Sequence, residues 1–480
     1  MARDRRVDGA VAVTTVEADL ISQGWTALRA DAGGPASEQP GPVTVSGATD
    51  ALPSAFCVAP VAVASVATAL LAAAALAGQR TGRAAPAVAL DRAHVADAVR
   101  SERFFSGPRQ TTGAGFAPLS RFWAASDGWV RTHANYPWHR RALVAALGAS
   151  EEAEAVAAAI AVLPALEVEE RVFAAGGIAT AVRSLDAWQA HPQGRAVATE
   201  PLISHRMMAD SPPRRRGPAD LPLAGVRVLD LTRVIAGPVC TRFLGALGAD
   251  VLRLDPPRHG DMASGAVGDT LLAKRSALLD LSDPERLTVL HSLLAEADVI
   301  VSGYRPGALD RFGLDEETLT QRHSGIVAVY LDAWGHSGPW SGRRGFDSVV
   351  QGPTGIADGE SRSPSEPGAL PCQLLDHGTG YLAAAAAIDG LHRQAVEGGT
   401  HVRRLSLART ARWLTSQGVT PVGPSAPAAE PDAPSWLVQV DDAGPVTAVA
   451  PPGSLDGRPL RWPGPPSRYG LDPPRWSDSG

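Results

Sequence analysis

A chain of 480 residues, 45% hydrophobic and 20% charged, has room for about two to four globular domains and is too apolar for global disorder. Its net charge of −6 lacks the basic footprint of a nucleic-acid binder. Three cysteines (Cys57, Cys240 and Cys372), odd and sparse in so long a chain, do not suggest a disulfide framework, contain no CxxC pair for zinc, and fit a reducing, cytoplasmic compartment.

In chain order, the basic start MARDRRVDGAVAVTT is not followed by a secretory apolar core. Residues 55–78 are long enough to span a bilayer, but they are mostly Ala, carry Pro60 and have no aromatic belt, so they read as a buried helix and not a membrane anchor. Residues 118–205 read as a small α+β domain, with an Asp127-Gly128 turn ahead of a helix. The run RMMADSPPRRRGPAD at 206–220 reads as a linker.

A βαβ pattern opens the second part. Residues 226–231 (VRVLDL) predict a strand, Pro238 suits the first turn of a helix, and Gly248 ends that helix. Further strands are expected at 250–254, 276–281, 299–301 and 326–331. Helices are expected from the capping box Ser282-x-x-Glu285 to about 297, and near 316–321. Such alternation implies a Rossmann-like parallel sheet with helices on both faces, over 221–424. GxGxxG is absent after the first strand, which removes support for a nicotinamide or flavin site, although a strand-end loop there still suits a phosphate. From about 425 the chain is rich in Pro, Ala and Asp, and an irregular tail on the surface of the second part is expected.

The two parts share a pattern. Ser22-Gln23-Gly24-Trp25-Thr26 resembles Val350-Gln351-Gly352-Pro353-Thr354, and each is followed by an Ala-Asp pair, at Ala30-Asp31 and Ala357-Asp358. Each then runs into an Ala-rich helix, at 65–76 and 381–391, ending in a basic, Gly-containing turn. Residues 1–117 thus read as a degenerate copy of the central segment. Gapless alignment of the two helices sets Asp376 opposite Pro60, so one active site per chain is expected.

No HExxH, His/Cys cluster, GxSxG elbow or P-loop occurs, and no metal or permanently bound cofactor is expected. The informative run is PCQLLDHGTG at 371–380, an acidic residue in a Gly-rich turn before an apolar helix. Asp376 is either an N-cap, worth about 1 kcal/mol, or a carboxylate nucleophile at a helix N-terminus. Pattern alone leaves both open.

Several blocks in order resemble family III CoA-transferases: PLAGVRVLDLTRVIAGPVCTRFLGALGADVLRLDPP (222–257), AKRSALLDLSDPE (273–285), VSGYRPGALDRFGLD (301–315), LDAWGHSGPW (331–340), FDSVVQGPTG (346–355) and LLDHGTG (374–380). The resemblance implies an interlocked-ring fold with a Rossmann-like large domain and a small domain. It implies that Asp376 is the nucleophile, with acyl-CoA and a carboxylic acid as substrates. It also implies CoA contacts at Val234, Ile235, Ala236, Lys274, Arg275, Tyr304, Arg305 and Arg311, and Gln351 near the thioester. Gly378 and Gly380 would then aim backbone N–H groups at an oxyanion. The chain departs from the family where Ser302-Gly303-Tyr304 replaces Glu-Asn-Phe and where the small domain precedes the large one. That order suggests a homodimer, or a pseudo-dimer within one chain. A non-catalytic CoA-binding scaffold is the competing reading. A racemase of the same superfamily is disfavoured, because Phe346 stands where its basic His would be.

Overall fold

The computed structural model describes residues 13–30, 41–49, 51–108, 115–258, 260–261, 266–361, 363, 366–419, 437–441 and 444–477. Asp31 of the repeated pattern, and residues 425–436 of the tail, lie outside them. The N-terminal part begins with α1 (Thr15–Arg29), whose Thr14 and Glu17 form a capping box. It continues through β1 (Val43–Ser46), α2 (Val58–Thr81), β2 (Val88–Asp91), α3 (Arg92–Ala98) and the single turn α4 (Ser101–Phe104). β1 and β2 pair in parallel. α2 is apolar on all sides because it is buried on all sides, which is why it passes for a membrane span by composition.

The small domain is an antiparallel sheet of β3 (Phe122–Ala124), β4 (Trp129–Thr132) and β5 (Ala179–Ala181). It carries α5 (Pro137–Leu147), α6 (Ala153–Ala161) and α7 (Ala165–Ala174). Asp127-Gly128 turns β3 into β4, as expected, and the carbonyl of Gly128 accepts from Ala125 N–H. α8 (Leu185–Ala190) and α9 (Pro192–Thr199) then lead to β6 (Ser204–Ala209). This strand takes up the first residues of the expected linker, because it pairs along the edge of the main sheet.

The second part runs β7 (Arg227–Leu231), α10 (Ala236–Ala246), β8 (Asp250–Asp255), α11 (Ala266–Thr270), β9 (Arg275–Leu278), α12 (Pro284–Glu296), β10 (Val299–Ser302), α13 (Glu316–Arg322) and β11 (Val327–Asp332). It ends with α14 (Asp347–Val350), α15 (Ile356–Gly359), α16 (Leu374–Glu397), β12 (Thr400–Ser406) and α17 (Leu407–Thr415). The sheet order is β6-β12-β11-β10-β7-β8-β9, parallel except for β6. Side chains alternate along the strands with period two. Val228, Val299 and Val327 join the core shared with α10 and α16, whereas Leu229, Ile300 and Ala328 pack with α12. The expected capping box at Ser282 does not form. Pro284 takes the first helical position, so Asp283 is the cap and accepts from Glu285 N–H, while Ser282 donates to Asp280.

α16 lies between the main sheet and α2, and α1 is tied to it by the Arg29–Asp389 ion pair at 2.6 Å. α2 and α16 are each 24 residues long, with Pro60 and Asp376 both third in their helices. Each is followed by a strand and then a helix with a side-chain cap, Asp91 for α3 and Ser406 for α17.

The tail differs from expectation. β13 (Leu437–Asp441) and β14 (Pro445–Val449) form a hairpin. Ser106 bridges to Thr447, and a short strand at Ser454–Leu455 adds to β2. Trp476 is buried against the second part and donates its indole N–H to Leu293. The tail therefore packs on both parts, driven by apolar residues that a Pro-rich composition hides.

Candidate active site

In this sheet β8 and β9 lie on one side of β7, and β10 lies on the other. The C-terminal ends of β7 and β10 thus flank a topological switch point, where open α/β sheets bind ligands. A cleft of about 620 Å³ opens there, lined by residues following β7 to β10 together with Trp138 of the small domain. An inner lobe of about 210 Å³ continues from it, walled by Tyr136, His139, Val234 and Phe346.

The cleft is cationic, with Arg233, Arg258, Arg305, Arg311 and Arg344 at its surface. Arg233 packs 5.1 Å from the centre of the Tyr304 ring and donates to its hydroxyl at 3.0 Å. Arg344 is pushed below the usual guanidinium range by burial and by repulsion from Arg305. Positive groups that crowd one another in a large open cleft suit a multiply charged anion.

The turn from β7 into α10 is held by a buried network. Asp230 accepts from Thr232 N–H at 2.9 Å, from the Thr241 hydroxyl at 2.6 Å and from Lys274 Nζ at 2.9 Å. Gly237 allows this approach, since a Cβ there would lie 2.2 Å from Thr232. Val234 sits at φ +71°, a strained backbone for a β-branched residue, at the wall of the inner lobe.

Phe346 lines that lobe, and the next residue, Asp347, enters a second buried cluster. Asp347 Oδ2 accepts Asp376 N–H at 3.0 Å, so Asp347 caps α16 from outside the helix. Gln351 Nε2 donates to the other oxygen of Asp347 at 2.5 Å, while its own carbonyl accepts Leu370 N–H at 2.9 Å. Asp376 is therefore not the N-cap. It lies within the first turn, is buried, and has no side-chain hydrogen bond or ion pair among the described residues. Burial, followed by the charges of Asp347 and Glu102, pushes its carboxyl well above the usual range. Burial raises Asp347 to about 6, against the lowering effect of Gln351 and the two backbone N–H donors.

Next along α16, the fully buried His377 meets the buried Glu102 of α4, Nε2 to Oε2, at 3.0 Å. Burial pushes the Glu102 carboxyl up, but the hydrogen bond and charge of His377 outweigh it and leave Glu102 below the usual range.

The sequence-derived candidates thus separate. Val234, Tyr304, Arg305 and Arg311 line the cleft system, and Ile235 and Ala236 follow Val234 into α10. Lys274 does not reach it, because it is spent on the buried Asp230 pair. Arg275 is at the N-terminal end of β9, remote from the strand ends that form the cleft, and binds Asp250 at 2.8 Å. Gln351 positions Asp347 with both ends of its amide. Gly378 and Gly380 lie inside α16, where their N–H groups serve the helix, and are not oxyanion donors. Gly380 is there for packing, since a Cβ would stand 2.5 Å from the Ala236 carbonyl. We expect Gly380→Ala to cost about 1–3 kcal/mol by forcing α10 and α16 apart, read as a lowered denaturant midpoint. An unchanged midpoint would remove that close crossing.

Sequence reasoning missed Asp347, Glu102, Arg233 and Arg344 as site residues. Asp347 and Gln351 had a signal, two polar groups four apart on one helical face. Glu102 had none.

Residues 223–436 match the family model described as CoA-transferase family III. An acyl-CoA transferase of Gibberella moniliformis is 31% identical over 51% of this chain and 45% of its own length. The succinyl-CoA–L-malate CoA-transferase beta subunit of Chloroflexus aurantiacus is 34% identical over 38% of this chain and 48% of its own. The human succinyl-CoA:glutarate CoA-transferase is 34% identical over 35% and 41%. The matched stretch thus spans less than half of each of these relatives. Among solved structures, a CaiB/BaiF family protein from Brucella suis overlaps with a TM-score of 0.39 at 27% identity, covering 42% of this chain and 56% of that one. The resemblance read from the sequence is borne out: residues 223–436 match the CoA-transferase family III model, and the curated relatives are named CoA-transferases.

Proposed function

We propose that the chain moves coenzyme A from an acyl-CoA thioester to a carboxylic acid through Asp376. The observation that carries this reading is a buried carboxyl with no side-chain partner among the described residues, at the N-terminal turn of α16, within the segment that matches the family III model. Its carboxylate attacks the thioester carbonyl, the C–S bond breaks, and a mixed anhydride and CoA thiolate result. The thiolate then attacks the aspartyl carbonyl, giving an aspartyl-CoA thioester and releasing the first acid. A second carboxylate takes the CoA by the reverse steps, and Asp376 is regenerated. The arginines around the cleft support binding of the CoA phosphates, with Tyr304 and Trp138 as aromatic surfaces for the base. We further propose a cytoplasmic enzyme of the interlocked-ring fold, in which residues 1–117 are a degenerate copy that makes a pseudo-dimer within one chain.

The test is mass spectrometry after incubation with a panel of acyl-CoAs. An adduct on Asp376, removed by hydroxylamine, is expected; an adduct elsewhere, or none with any donor, overturns the reading.

The raised carboxyls give a pH dependence. Attack requires ionised Asp376, so kcat/KM rises as pH climbs through the titration of the Asp347–Asp376 pair. With Asp347 at about 6 and Asp376 pushed up by burial and neighbouring charge, the acid limb falls well above the ordinary carboxylate value of about 4. A profile measured from about pH 4 to 9 checks this. A limb near 4 would show that an unperturbed carboxylate controls turnover.

A further inference from the structure

The N-terminal part does more than cover α16. α4 is wedged into the second part by independent contacts on successive residues. The Ser101 hydroxyl donates to Asp269 Oδ2 at 2.9 Å and accepts from Arg242 Nη2 at 2.8 Å, all three side chains being buried. Phe105 packs against Leu272 and Gly268, where a Cβ would lie 2.2 Å from its ring. Between these anchors, Glu102 is delivered to His377, the neighbour of Asp376. The fold thus spends a buried acid from the far end of the chain on the residue beside the nucleophile.

We propose that α4 is a working component of the catalytic centre, and that Glu102 is a positioning residue that fixes His377 and holds a negative charge against Asp376. Two buried carboxylates then bear on the nucleophile: Asp347 from α14 accepts its backbone N–H, and Glu102 from α4 meets its neighbour His377 and adds its charge to that of Asp347 in raising the Asp376 carboxyl. Among the groups packed around them, His377 is Glu102's own partner at 3.0 Å, and its hydrogen bond and charge keep Glu102 ionised. Arg242 of α10 is engaged by Asp269, at the base of the same wedge. Arg103 is 3.9 Å from Glu102 but half exposed, so its effect is screened. Cys372 is buried, and burial, then Asp347 and Glu102, push its thiol up. Ser65 of α2 and Thr410 of α17, which face Gly378, carry no charge. A carboxylate kept among like charges is more basic, hence a stronger nucleophile once ionised, and it regains charge dispersal when it becomes an acyl group.

The inference rests on the transferase reading for its meaning but not for its readout. Glu102→Gln preserves volume and an acceptor for His377 while removing the charge. In protein carrying carboxyl-labelled aspartate, the infrared carboxyl band of Asp376, assigned by its loss in Asp376→Asn, is titrated in wild type and in Glu102→Gln. We expect the Asp376 titration to move down by about one pH unit in the variant. The acid limb of turnover should move with it, turnover on the plateau should fall several-fold, and the melting temperature should not drop. A band that titrates at the same pH in both proteins overturns the proposal, as does a variant that merely melts earlier with an unshifted band. Wild type with no turnover counts against the transferase reading alone, since the band shift is observed without substrate.

Discussion

Asp376→Asn is expected to abolish transfer and adduct formation while leaving the protein at least as stable as wild type at neutral pH. The chemical half is direct: an amide cannot form the mixed anhydride, so turnover should drop by about three orders of magnitude or more. The stability half comes from the site. Asp376 caps nothing, since the Leu375 and Asp376 N–H groups of the first turn are taken by Asp347, so the substitution removes no helix cap. Burial and the charges of Asp347 and Glu102 raise the folded-state pKa above that of the unfolded chain. The folded state therefore binds more protons, and the associated stability is present at low pH and lost as pH rises through the folded pKa. A neutral amide escapes this loss. The variant should match wild type in acid and melt higher near pH 8. Equal activity in both proteins would remove Asp376 from the mechanism. An Asn variant that melts lower at every pH would give the carboxylate a structural role.

Such a pattern, function lost and stability kept or gained, marks a residue held against its own preference. It also shows what the sequence made legible. The βαβ alternation, the buried Ala-rich helices and the Leu374–Gly380 run could be read because they depend on local periodicity and a contiguous motif. The role of Asp376 in its turn was open, because which carboxylate caps α16 depends on a residue 29 positions upstream. Glu102 was illegible for the same reason on a larger scale, being 275 residues from His377. Gly378 and Gly380 suggested a flexible turn, yet the helix begins before them. There, small residues serve close packing on Ser65 and on the Ala236 backbone. The antiparallel edge strand β6 was hidden inside a run whose prolines and arginines read as linker.

The cations of the second part divide between fold and ligand, and two variants separate the roles. Lys274 is the only lysine of the chain, and it is spent inside. Its ammonium is fully buried against Asp230, and burial pulls its pKa down to about 8 despite that partner. Replacing it with methionine keeps the stem but leaves Asp230 charged in the core, with only the Thr232 and Thr241 donors to hold it. Breaking a buried pair in this way costs about 3–5 kcal/mol, so Lys274→Met should lower the denaturant midpoint sharply. Its folded fraction should still bind CoA with wild-type affinity. Arg311 is the converse case. It borders the cleft beside Phe312, with its guanidinium 4.6 Å from that ring, and it forms no ion pair among the described residues. Arg311→Ala should leave stability unchanged and weaken CoA binding about ten- to a hundredfold, the loss of one charge-assisted contact of about 1.5–3 kcal/mol. Calorimetric titration of both variants, at a temperature where each is folded, decides the matter. Weak CoA binding by folded Lys274→Met would place the lysine at the phosphates after all. Full affinity in Arg311→Ala would move the phosphate site away from this end of the cleft, toward Arg233 and Arg344 at the switch point.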